Sequence, residues 1–215
     1  MKKGIIFDVD GTLWDACPQI ADSWNEYVRL FEPELVSDHI TGELIRSLCG
    51  QTMDKFAAAV FPGTDIDRAI AVTDKCCVYE VEYLKSAGGF VYPDLIDTLK
   101  QLRAAGYHLY IVSNCQLGYI ETFMDWSHTE EYFEDTECYG HTLKPKGENI
   151  RRVCERNQLD QAVYVGDTQG DYRSAVEAGV PFIHASYGFG QVEDVMHIST
   201  LKELPARIEM MNKEQ

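Results

Sequence analysis

Basic charge is what this sequence has least of: 19 lysines and arginines stand against 35 aspartates and glutamates, a formal net charge of −16. Nucleic-acid recognition rests largely on basic residues that neutralise phosphates, so nucleic acid is excluded as an expected partner. The same field repels small phosphorylated molecules at long range. A site for them needs a bound cation and a few local donors to outweigh it. Long apolar runs are also missing. No stretch approaches the roughly 20 residues that cross a bilayer, and near the start Met1, Lys2 and Lys3 lead into only Gly4, Ile5, Ile6 and Phe7 before Asp8 interrupts. Neither a membrane association nor a signal peptide is expected. No C-x-x-C pair occurs, which leaves a structural zinc site without recognisable ligands. The seven cysteines are scattered, apart from the neighbours Cys76 and Cys77, a pattern that suits a reducing compartment and predicts a cytoplasmic protein. Cys115 is read as a packing residue, and the six histidines show no spacing suited to a metal.

The patterning that is present changes character along the chain. Gly4 to Phe7 is a short continuous apolar run, as expected of a strand buried on both faces, and it ends in Asp8-Val9-Asp10-Gly11-Thr12. From there to Gly88 the period is helical. Ile20, Trp24, Tyr27, Val28 and Phe31 form one stripe, Leu44, Ile45 and Leu48 a second, and Ile66, Ala69, Ile70, Thr73, Cys77, Val81 and Leu84 a third. After Gly89, helices and strands alternate. Pro93 opens a helix, strands are predicted over 107–112, 162–165 and 182–185 with a short one near 136–139, and helices fall between them. The pattern predicts an α/β fold: a Rossmann-like parallel sheet core over 1–14 and 89–215, with an all-helical cap, 15–88, inserted after the first strand.

In open α/β sheets ligands bind beyond the carboxyl ends of the strands. Those ends carry Asp8, Asp10 and Thr12; Ser113 and Asn114; and Gly166-Asp167-Thr168-Gln169-Gly170-Asp171, while Lys144 and Lys146 precede a later helix. Carboxylates gathered at one edge raise each other's pKa unless a cation joins them, and a hard divalent ion such as Mg²⁺ is the simplest resolution. Asp8 and Asp10 alternate around Val9, so in an extended segment both face the same way while Val9 turns to the core.

Asp8-Val9-Asp10-Gly11-Thr12-Leu13, Ser113-Asn114, a lysine and Gly166-Asp167-x-x-x-Asp171 resemble, in order, the four motifs of the haloacid dehalogenase superfamily. The helical block is similar in position to the C1 cap of its phosphoglycolate phosphatase-like members, and Tyr187-Gly188-Phe189-Gly190 resembles their closing loop. The resemblance implies a Mg²⁺-dependent phosphatase acting on a small phosphorylated metabolite. Asp8 would form an aspartyl phosphate, and Asp10 would serve as acid and base while lending its carbonyl to the metal. Ser113, Asn114, a lysine and the backbone around Gly11 and Thr12 would bind the phosphoryl group. Asp167 would complete the metal site, with Asp171 supporting it. Lys144 and Lys146 both stay candidates; the entrance of a helix at Gly147 favours Lys146, whose ammonium would add to the positive helix end. Arg46 resembles a substrate-contacting cap residue, although a lone arginine on a helix is more often a solvated charge, and Trp14 suits either the cleft or hinge packing. A β-phosphoglucomutase-like transferase and a catalytically silent binding module are the rival readings. The substrate and the oligomeric state are not legible.

Overall fold

The structure, a computed structural model, describes residues 1–35 and 39–213. β1 (Lys3–Phe7) leads through β2 (Trp14–Asp15) into four helices, α1 (Cys17–Phe31), α2 (Gly42–Leu48), α3 (Met53–Val60) and α4 (Ile66–Ala87). The chain returns with β3 (Phe90–Val91), which pairs with β2. Alternation follows: α5 (Leu95–Ala104), β4 (His108–Ser113), α6 (Tyr119–Ser127), β5 (Phe133–Cys138), α7 (Tyr139–Thr142), α8 (Lys146–Arg156), β6 (Gln161–Gly166), α9 (Gln169–Ala178), β7 (Phe182–Ala185), β8 (His197–Ile198) and α10 (Leu204–Lys213). Two compact units result, Met1–Asp15 with Val91–Gln215, and Ala16–Phe90.

The first unit is built on a six-stranded sheet in the order β5-β4-β1-β6-β7-β8, with every pairing parallel. Numbered along the chain, the sheet strands run in the Rossmann order, so the direction of winding reverses between β1 and β6 and opens a crevice there. Strand alternation fixes which side chains meet the helices. Ile6 lies between Tyr110 and Tyr164 in register, and these three pack with Val112, Ile150, Val153, Ala175 and Phe182 under α8 and α9. Leu95, Leu99 and Leu102 on α5 and Leu204 and Ile208 on α10 are buried as well.

The helical unit is organised by α1 and α4. Ile20, Trp24 and Val28 are buried, and the Trp24 indole N–H donates to buried Glu80 on α4 at 2.6 Å. Phe31, expected on the buried stripe, is 58% exposed and joins Tyr27 and Tyr79 in an aromatic cluster. Ile66 is likewise exposed, because the buried face of α4 runs through Ala69, Val72, Cys76, Glu80 and Leu84.

Other differences from the expected elements have local causes. α5 begins two residues after Pro93 because Asp94 adopts a left-handed conformation, φ 64°. β5 is longer than expected. Its residues Glu134, Asp135 and Glu137 hide the strand in sequence, and in the fold they are matched by Arg103, His108 and Arg156 at the sheet edge. α9 begins at Gln169, ahead of Asp171, because Thr168 and Asp171 form a reciprocal capping box. Among the described residues no helix is long and apolar enough to cross a membrane.

Candidate active site

β1 delivers Asp8 to the crevice, where its N–H donates to Val165 O of β6 at 2.9 Å. Val9 is fully buried, and the turn behind it closes tightly: Gly11 N–H donates to Trp14 O at 2.9 Å, Thr12 N–H to Val9 O at 3.2 Å and Leu13 N–H to Val9 O at 2.8 Å. The Gly11 and Thr12 amides are therefore engaged within the turn, which corrects the expectation that they face a phosphoryl group. What Gly11 contributes is the lack of a side chain. Its φ is +76° and a Cβ there would lie 2.1 Å from Asp167 Oδ2. Gly11→Ala is expected to lower stability by about 1–3 kcal/mol through backbone strain alone. An unchanged urea midpoint would show that the turn tolerates the methyl group.

Lys146, the first residue of α8, is buried and points its ammonium between two carboxylates. Nζ lies 2.6 Å from Asp171 Oδ1 and 3.0 Å from Asp8 Oδ1, and 5.9 Å from the centre of the Tyr164 ring. Tyr164 is held in turn by a hydrogen bond to Val112 O at 2.8 Å. Lys144 is exposed, with its N–H on Thr142 Oγ1 and its carbonyl on Asn149. The second oxygen of Asp171 accepts from Thr168 N at 2.9 Å and Thr168 Oγ1 at 2.7 Å, so both of its oxygens are taken.

Asp167 follows β6 and is fully buried. Its Oδ2 accepts from Phe189 N–H at 2.7 Å, its carbonyl accepts from His184 Nε2 at 3.1 Å, and Gly188 sits where a Cβ would meet Asp167. The segment 187–190 is further tied by Tyr187, whose hydroxyl donates to Thr12 O at 2.8 Å. Asp167 Oδ1 is buried without a hydrogen-bond donor, while Asp8 Oδ1 is buried with the Lys146 ammonium beside it. Carboxylate oxygens of Asp8, Asp167 and Asp171 all lie within 4.8 Å of one another. Buried acceptors without donors are costly, and hard carboxylate oxygens are the donors a Mg²⁺-sized ion takes, so the residues fit such an ion.

The electrostatics follow from this crowding. Burial, with the charge of Asp171, pushes Asp8 up to about 6 against the pull of Lys146. Burial also pushes Asp10 up to about 7, against a hydrogen bond from Tyr119. Asp167 stands well above the usual carboxylate range because of burial and the charges of Asp171 and Asp8. Burial opposes ionisation of Asp171 too, but Lys146 and Thr168 outweigh it and hold this carboxyl low. Burial works against the Lys146 charge, and the two aspartates more than offset it.

Ser113 is buried at the end of β4, while Asn114 is exposed beside it. Thr12 is buried with an unpartnered hydroxyl. Trp14 is fully buried and packs edge-on against Tyr119 and Phe123, in keeping with packing, one of the two readings the sequence left open. Arg46 lies partly exposed on α2, in the helical unit. Burial and a hydrogen bond with Cys138 push the Cys115 thiol well above its usual range. Tyr119, read from the sequence only as part of a helix, places its hydroxyl 2.6 Å from Asp10 Oδ1. A cavity of about 460 Å³ opens at the other end of the strands, beside Gly4 and Leu159, and contains none of these residues.

Residues 5–185 match the family model of haloacid dehalogenase-like hydrolases. A phosphoglycolate phosphatase of Rhodospirillum rubrum is 28% identical, covering 89% of this chain and 82% of its own. One from Nitrosospira multiformis is 26% identical, with 96% and 93% covered. Among solved structures, a predicted phosphoglycolate phosphatase from Haemophilus somnus shares the fold with a TM-score of 0.79 at 20% identity, covering 95% of this chain and 97% of that one. The chain belongs to the haloacid dehalogenase-like hydrolases. Within them it is phosphoglycolate phosphatase-like, and its reaction class is phosphoric monoester hydrolysis.

Proposed function

We propose that this protein is a Mg²⁺-dependent phosphatase that hydrolyses a small phosphomonoester through an aspartyl phosphate on Asp8. The observation that carries the reading is Asp8 itself: a buried carboxylate beside an ammonium, within reach of an unpartnered oxygen on Asp167. An Asp8 oxygen forms the bond to phosphorus as the bond to the leaving oxygen breaks, and Asp10 hands its proton to that oxygen. Asp10 then takes a proton from water as the water oxygen attacks phosphorus. Phosphate departs and the Asp8 carboxylate is restored. Lys146 and Ser113 meet the charge on the phosphoryl oxygens, with Asn114 as a further donor from the exposed side. Asp8, Asp167 and the Asp10 carbonyl would hold Mg²⁺. Asp171 would act through Lys146 and outer contacts, since its oxygens are engaged. When bound, Mg²⁺ supplies positive charge that offsets repulsion between the carboxylates and the phosphate ester. The helical unit is proposed as the substrate-selecting cap, Arg46 included. A cytoplasmic setting is proposed from the seven cysteines, none of which is in a disulfide among the described residues.

The test is phosphate release from a panel of phosphomonoesters with and without Mg²⁺. Phosphoglycolate belongs first, because curated relatives carry that activity in their names. Chelation is expected to stop turnover, and isomerised ester in place of free phosphate would point to a transferase instead. Stability supplies an independent check. Asp8 and Asp167 have folded pKa values above their unfolded ones, so the ion-free protein is favoured at low pH and loses stability as pH rises through that window. The Tm increase on adding Mg²⁺ is therefore expected to be larger at about pH 8 than at about pH 5. An equal increase at both, or none, would count against the ion site.

A further inference from the structure

We propose that Tyr119 is a positioning residue that holds the Asp10 carboxyl for proton transfer to the leaving oxygen, an inference that rests on the phosphatase reading above. Tyr119 is the first residue of α6, set there by Gly118, which turns the chain at φ 90°. It is buried, and its hydroxyl donates to Asp10 Oδ1 at 2.6 Å. The phenol is itself fixed. Trp14 packs edge-on against it, with ring centroids 5.6 Å apart and planes at 71°, and Phe123 braces the other contact of Trp14 at 5.3 Å.

The same tryptophan secures Asp10 from the backbone side. Trp14 O accepts from Gly11 N–H, Trp14 N–H donates to Val9 O at 3.2 Å, and Asp10 and Trp14 form an isolated bridge. Both partners of the hydrogen bond are thus referred to one buried ring and its backbone. The consequence for the carboxyl is chemical. With Oδ1 accepting from the phenol, a proton on Asp10 resides on Oδ2, so the hydrogen bond selects which oxygen donates and fixes its direction. A general acid must be held within hydrogen-bond reach of the atom it protonates, and a carboxyl free to rotate meets that condition only part of the time.

A buried tyrosine that merely satisfied its hydroxyl would leave no trace in the chemistry, and leaving-group dependence separates the two roles. Tyr119→Phe keeps the ring against Trp14 and removes the hydroxyl. Wild type, Tyr119→Phe and Asp10→Asn are assayed with Mg²⁺ on ethyl phosphate, whose alkoxide needs a proton to leave, and p-nitrophenyl phosphate, whose phenolate does not. kcat/KM is the quantity to compare, because it reports steps up to leaving-group departure and is blind to the later hydrolysis of the intermediate. Tyr119→Phe is expected to lower kcat/KM for ethyl phosphate by roughly 10- to 100-fold, a part of what a general acid contributes, and to leave p-nitrophenyl phosphate within about threefold. Asp10→Asn should show the same split more strongly. Equal loss on both esters, or loss on neither, in Tyr119→Phe overturns the positioning role while leaving the phosphatase reading standing. No split in Asp10→Asn overturns both the acid assignment and the inference built on it.

Discussion

Asp8→Asn is expected to abolish turnover, with kcat down by at least about 10⁴-fold, equivalent to about 5.5 kcal/mol of lost transition-state stabilisation. The amide keeps the shape of the carboxyl but has no nucleophilic oxygen with charge to form the aspartyl ester. Loss of activity alone would not separate chemistry from misfolding, so stability is the necessary second readout. In the ion-free protein burial pushes Asp8 up to about 6, which means that the fold disfavours its ionised form. The charged form thus weakens the folded state as pH rises from the unfolded value toward and beyond the folded one. Removing the charge lifts that load, although Lys146 then has Asp171 as its one ion-pair partner among the described residues. The ion-free variant is therefore expected to melt no lower than wild type at about pH 8. Phosphate release by a folded Asp8→Asn protein would refute the covalent mechanism. A collapsed Tm would show that Asp8 serves stability first.

Much of this arrangement is readable before any coordinates because a parallel sheet imposes its own grammar. The buried strands β1, β4, β6 and β7 are short apolar runs, and the polar residues that follow them must lie at one edge of the sheet. β5 escapes the same reading because Glu134, Asp135 and Glu137 suit an edge strand only once Arg103 and Arg156 stand beside them, and those arginines are distant in sequence. α3 is only eight residues long, with a run of alanines, so it merges into the helical block. The site divides along the same line. Strand position gives Asp8 and Asp167, but nothing local couples Tyr119 to Asp10 across 109 residues. Nor does local pattern reveal that the amides of Gly11 and Thr12 are consumed by the turn around Val9, because D-x-D-G-T reads the same whether they face inward or outward. The Thr168-x-x-Asp171 spacing was a legible helix-start signal that explains the early onset of α9.

Lys146→Met is expected to destabilise the ion-free protein by about 3–5 kcal/mol at neutral pH, the usual cost of removing one partner from a buried ion pair. Methionine fills much of the space of the lysine stem beside Tyr164, so packing is largely conserved and the missing quantity is charge. In wild type the ammonium, together with Thr168, outweighs burial and holds Asp171 below the usual carboxylate range. That contribution is present above the unfolded value and lost as pH falls through the folded one. Without Lys146, the burial of Asp171 and its repulsion with Asp8 and Asp167 are opposed mainly by the Thr168 hydrogen bonds, and the folded values of these acids rise. The difference between wild type and variant should therefore shrink toward acid pH, where the raised folded values let the variant's buried carboxyls take up protons. Urea melts at about pH 5 and about pH 8 measure it, with an unchanged m-value confirming that the unfolded ensemble is the same. Activity should fall by about 10²–10³-fold with loss of a cationic donor at the phosphoryl group, and Lys146→Arg should restore it poorly, since a planar fork does not fit a space shaped around one ammonium. Lys144→Met is the matched control: exposed and two residues away, it should stay within about 0.5 kcal/mol of wild type and retain turnover. Reversal of the two variants' effects would assign the phosphate-binding charge to Lys144, and would mean that the close approach of Lys146 to Asp8 and Asp171 serves only the fold.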